Sequence, residues 1–181
     1  MFIEQDKEHA QSAIAFHTRA NISEVRLVDA RVRCSMAIED AAFPLESTLQ
    51  FRAEDHVVGN QKVKIGTRFR FHVTTGSKGP KKPVFLVECR FDTDYELRKG
   101  YEPSNEEITA FKDANAIFNT WPFFREFLNT TATRMGYPAP TVPFLRIVPK
   151  VTSVKEIGPA QVEASKVPKK ERKQNKKSKT S

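Results

Sequence analysis

Cysteine is nearly absent from this chain: Cys34 and Cys89 are its only two, far apart and without paired spacing. That excludes a disulfide framework and a zinc knuckle, both of which need clustered thiols, and fits two free thiols in a reducing compartment. Long apolar runs are missing too. Nothing approaches the roughly 20 consecutive apolar residues that span a bilayer, so no membrane insertion is expected. The start MFIEQDKEHAQS lacks the basic and apolar parts of a secretion signal, so a cytoplasmic location is expected. Histidine is sparse: His9, His17, His56 and His72 show no i, i+3 or i, i+4 pairing that could hold a metal. Gly76-Ser77-Lys78-Gly79 lacks the glycine-lysine element of a phosphate loop and leads into a strand. Cys34 and Cys89 fall on apolar strand faces, where a buried thiol is inert. The carboxylate pairs Asp92/Asp94 and Glu106/Glu107 read as strand-end and helix-start charges. An enzyme is not expected, nor a metal or a cofactor.

Acidic residues are the scarcer charge, but the imbalance is local. The formal charge is +8, and residues 166–181 carry eight basic residues against Glu171, a net +7. The body is therefore close to neutral. With so few apolar residues, this lysine-rich tail reads as disordered.

Between the ends, the alternation of apolar and polar residues predicts four strands. Val28, Ala30, Val32, Cys34, Met36 and Ile38 alternate with polar neighbours, whereas Val25 and Leu27 are out of phase, so a bulge is expected at Leu27-Val28. Leu49, Phe51 and Ala53 belong to the next strand, and Gly59-Asn60 supplies a hairpin pair. Val63, Ile65, Phe69, Phe71 and Val73, then Phe85, Val87, Cys89 and Phe91, line the inward faces of the last two. Short turns between them imply an antiparallel sheet with one covered face.

What covers it begins at Ser104-x-x-Glu107, a capping box. From there Ile108, Phe111, Ala114, Phe118, Trp121, Phe124, Leu128, Ala132 and Met135 recur in steps of three or four, one face of a helix. Gly136 and Pro138 end it. Pro122 costs the interior a hydrogen bond and predicts a kink or break near Asn119. Ile117, Phe123 and Phe127 lie off the stripe, so the helix is apolar on more sides than one sheet can cover. After it, YPAPTVPFLRIVP is extended and proline-rich, and residues 153–165 form at most one weak helix around Gly158-Pro159.

The order WPFFREF, RMGYP and VPFL resembles the SecB family of export chaperones, matched here at Trp121, Pro122, Phe123, Arg125, Glu126, Arg134, Gly136, Tyr137, Pro138, Pro143 and Phe144. The match covers about thirty residues, with strand order extending it loosely over 22–148. The resemblance implies an α+β fold in which a four-stranded antiparallel sheet precedes a long proline-kinked helix and a weak C-terminal helix. It divides the chain into an extension (1–20), a SecB-like domain (21–150), a weak helix or linker (151–165) and a disordered basic tail (166–181). It also implies an ATP-independent holdase for unfolded polypeptides, assembled as a homo-oligomer, a dimer or a dimer of dimers.

Residues that one sheet and one helix leave unexplained, Phe43, Trp121, Phe123, Phe124 and Phe144, are expected to line client grooves. Phe118, Phe127 and Leu128 are expected at the oligomer interface. Family members that serve export usually carry an acidic body that engages the translocase motor; this near-neutral body argues against that delivery. An antitoxin is the other client class known for SecB-like chaperones. Two competing readings are a nucleic-acid or ribosome-associated module using the lysine tail and an oligomerisation scaffold without a client.

Overall fold

The computed structural model describes residues 1–76 and 80–150. The expectations for 151–165 and 166–181, and part of the turn before the fourth strand, lie outside the described residues. The elements are β1 (Phe2–Gln5), α1 (Lys7–His17), β2 (Ala20–Cys34), β3 (Leu45–Gly59), β4 (Lys62–Thr75), β5 (Pro83–Leu97), α2 (Asn105–Phe111), α3 (Ile117–Arg134) and β6 (Arg146–Pro149).

Four long strands form an antiparallel sheet in the order β2-β5-β4-β3. β3, β4 and β5 follow one another, and β2 returns beside β5, which leaves β2 and β3 as the edges and is a Greek-key order. The register of β2 slips between Leu27 and Asp29, the bulge that the phase change at Val28 requires; a second slip lies between Ile22 and Glu24. The first hairpin differs from expectation by one residue. Gly59 still pairs with Lys62, and the turn is Asn60-Gln61, with Gln61 at φ 56° and its carbonyl accepting from Leu97 N–H at 2.8 Å.

The first twenty residues, read as an extension, pack into the same unit as the rest up to Lys150. Asp6 caps α1 by accepting from His9 N–H at 2.9 Å, and α1 buries Ala13 and Phe16 against α2. β1 pairs in parallel with β6, tying both ends of the unit together.

The capping box at Ser104 is present: Ser104 Oγ accepts from Glu107 N–H at 3.1 Å, and Glu107 Oε2 accepts from Ser104 N–H at 2.7 Å. Ser104→Ala is expected to destabilise the unit by about 1 kcal/mol, measured as the shift in urea midpoint; no shift would mean that tertiary packing alone holds this end. At the other end Gly136 has φ 84°, and Tyr137 N–H donates to Ala132 O at 3.0 Å, closing α3 in a Schellman turn.

Of the kink or short break expected near Asn119, the break is absent. α3 runs through Pro122, and the irregularity is a wider π turn at Lys112–Ala116. Pro122 and Phe118 both lie on the exposed side of α3, where water can satisfy the carbonyl that loses its partner. The extra residue in the π turn rotates the helix, so α2 faces one core and α3 another. The first contains Phe16, Val63, Ile65, Tyr95, Ile108 and Phe111. The second contains Phe69, Val87, Phe91, Ile117, Trp121, Phe124 and Leu128, with the rings of Phe69 and Phe124 stacked at 4.5 Å. Between them, buried Thr67 donates to Thr120 Oγ1 at 3.0 Å.

Candidate functional site

The connection from β2 to β3 and the segment after α3 meet at one end of the sheet. Tyr137 Oη donates to the Met36 carbonyl there, and its ring packs against Phe85 at 4.5 Å. Val142 and Leu145 fix the segment after α3 in the core. Between these two connections lies an open groove of about 310 Å³. Its floor is Phe71, Val73 and Phe85 from the sheet, and its walls are Ile38, Leu45 and the chain from Tyr137 to Thr141. Leu45, Glu46 and Ser47 belong to edge strand β3, so unpaired backbone groups border the apolar floor.

Phe43 projects from the connection between Ile38 and Leu45, is 72% exposed, and is joined to Pro44 by a cis peptide. Phe144 is 73% exposed and lies under the guanidinium of Arg125, 5.0 Å from its ring centroid. Phe123 is about half exposed on the outer side of α3. Trp121 and Phe124 must be withdrawn from the set of surface residues. They are 4% and 0% exposed, pack with Phe69 beneath α3, and neither lines the groove. Leu128, expected at an interface, is fully buried in the same core. Phe118 is half exposed, and Phe127 is partly covered, its ring edge-on to Phe91 at 6.5 Å.

A second apolar surface was not anticipated as such. Leu27 pairs with Phe91 and Val32 with Val87, so both lie on the helix-covered face of the sheet. Yet Leu27 and Val32 are nearly half exposed, because α3 does not reach over edge strand β2. Strand alternation identifies which face a residue takes; it does not say whether that face is covered.

The two thiols differ in burial, which corrects the expectation of two buried ones. Burial pushes the Cys89 thiol up to about 12, so it carries no thiolate near neutrality. Cys34 is exposed, with Sγ 3.2 Å from Tyr137 Oη. Among the described residues no group of three metal-ligating side chains converges, and no helix is long and apolar enough to cross a membrane.

Compared with solved structures, the chain is similar to the Mycobacterium tuberculosis Rv1957 SecB-like chaperone, in complex with a ChAD peptide from the Rv1956 HigA1 antitoxin. The two share 18% sequence identity and superpose with a TM-score of 0.66 over 76% of this chain and 99% of that one. The fold is SecB-like. No family model matches the chain, and no curated protein matches it by sequence. A protein of unknown function from Streptococcus agalactiae shares 11% identity at a TM-score of 0.34, covering 69% of this chain and 97% of that one, and carries no argument. On the SecB-like fold, the groove lies at the end of the sheet where Tyr137, part of the resemblance seen in the sequence, closes its wall.

Proposed function

We propose that this chain is a holdase chaperone that binds non-native polypeptide in the groove between the β2–β3 connection and residues 137–141. The observation that carries this reading is the pairing of an open apolar floor (Phe71, Val73, Phe85) with the free edge of β3. An extended client has both features to offer: backbone groups that can add to a strand edge, and apolar side chains for the floor. Neither reads a particular sequence. Burying one large apolar side chain is worth about 1.5–3 kcal/mol, so several weak sites are needed to hold a client. Phe43 and Phe144 extend the apolar surface for that purpose. The neighbour on the same fold was solved with an antitoxin peptide, which supports a polypeptide client; an antitoxin is the client class we favour over an export precursor, because the body is near neutral and not strongly acidic.

The chain holds its client as a homo-oligomer. Phe118, Phe123 and Phe127 leave α3 apolar outside its own sheet.

The test is light scattering of an unrelated unfolded protein, without nucleotide, with and without the chain at several-fold excess. Suppressed scattering is expected; scattering unchanged by the chain would contradict the proposal.

A further inference from the structure

The groove leaves the opposite face of the sheet unused. Its side chains form a charged array whose sign changes along the strands. Three adjacent rows, fixed by strand register, are Asp29-Arg90-Arg68-Arg52, Arg31-Glu88-Arg70-Gln50 and Arg33-Leu86-His72-Thr48. Six arginines stand there against Asp29 and Glu88, and with Glu54, which reaches in from the bulge of β3, the patch keeps a net +3. Toward the β3–β4 hairpin the sign reverses: Glu24, Asp92, Asp94 and Glu96 outnumber Arg26, Lys62 and Lys64. The positive charge is therefore concentrated at one end.

The carboxylates in the patch are already engaged. Glu54 accepts from Arg68 Nε at 2.7 Å and lies 3.2 Å from Arg90 Nε, and the Arg68 guanidinium holds its carboxyl below the usual carboxylate range. Glu88 pairs with Arg70 at 3.2 Å. The surplus is donor capacity. Arg31 and Arg52 reach a carboxylate only at 4.0 and 3.6 Å and are more than half exposed. Among the described residues Arg33 pairs with no carboxylate and is exposed. A shallow depression of about 240 Å³ lies beside Arg52, Arg68, Arg70 and Glu88.

We infer that this arginine face, spanning Arg31, Arg33, Arg52 and Arg70, is a docking surface for the phosphate backbone of a nucleic acid. Three features select that occupant. Guanidinium groups take phosphate oxygens bidentately. Neighbouring positions repeat at about 4.8 Å across strands and about 6.7 Å along them, on the scale of successive phosphates. And a protein partner needs an apolar or aromatic core to its interface, whereas Leu86 is the only apolar residue in the three rows, the sheet's aromatic rings packing on the other face. The tail adds a net +7 of the same sign in the same chain. With no aromatic platform on the face, binding reads charge and not bases.

The full chain is titrated into labelled RNA and DNA duplexes of about 20 base pairs, followed by anisotropy between about 50 and 200 mM salt. Affinity is expected to fall steeply with salt and to be alike for the two duplexes. In Arg31→Gln/Arg33→Gln/Arg52→Gln the affinity falls about tenfold or more and the salt slope loses about two to three. Circular dichroism and client holding stay as in the parent, since all three side chains are exposed and outside the groove. Four results would overturn the inference: no salt-dependent binding by the full chain, a triple variant indistinguishable from the parent, a more than tenfold preference for one duplex, or stronger competition by polyglutamate of equal charge.

Discussion

Phe124→Ala is expected to destabilise the described unit by about 3–5 kcal/mol, a large share of the roughly 5–15 kcal/mol that a domain of this kind commands. Phe124 is fully buried, stacked on Phe69 at 4.5 Å and 8°, and 5.6 Å from Trp121, so the substitution removes these aromatic contacts and leaves a cavity that a sheet and a rigid helix cannot close. Equilibrium unfolding in urea measures it. The same experiment on Phe144→Ala, whose ring is largely in solvent, should move the midpoint little. Equal losses for both would mean that Phe144 is packed and not available to a client.

The second large effect belongs to the groove. Phe43 is exposed two residues before the wall residue Leu45, and Ala139 lines the groove from an exposed position, so Phe43→Asp/Ala139→Asp puts one charge in the wall and a second in the connection that forms it, without touching either core. A carboxylate that a bound apolar side chain would strip of water has no partner there, and desolvating even a polar group costs about 1–3 kcal/mol in protein contexts. Two such groups should weaken peptide binding by about tenfold or more. Unfolding stability should stay within about 0.5 kcal/mol of the parent, as for surface changes in general. That separation of holding from stability is what Phe124 cannot provide.

Much of this architecture is legible in the chain itself. Alternation gives four strands, the phase slip at Val28 gives a bulge, and Ser104-x-x-Glu107 with Gly136 gives both ends of the helical rod. The misassigned residues of the helix stripe trace to one local event. Counting steps of three or four from Ile108 without interruption puts Phe118 on the core stripe and leaves Ile117 off it. The π turn at Lys112–Ala116 adds a residue just before α3, and at the junction Ile117 is buried while Phe118 is exposed. Trp121 and Phe124 fail as surface residues for a simpler reason: the helical period already assigns them to the core, and the aromatic richness of WPFFREF does not outweigh it. The groove is less legible. It needs β2 to return beside β5, so that the β2–β3 connection crosses the end of the sheet and meets Tyr137, a contact between residues about a hundred positions apart. No local pattern encodes it. The arginine face is hidden likewise, because Arg31, Arg33, Arg52 and Arg70 sit on three strands and become neighbours only through register.

The central claim is that the groove at Phe71, Val73 and Phe85 holds non-native chain. Its most direct measurement is the binding isotherm of a fluorescent unfolded peptide to the parent and to Phe43→Asp/Ala139→Asp, with Val57→Asp at the exposed hairpin as control. Saturable binding is predicted for the parent and the control, with affinity lower by at least about tenfold in the double variant. Equal affinity in all three would place the client elsewhere and contradict the claim.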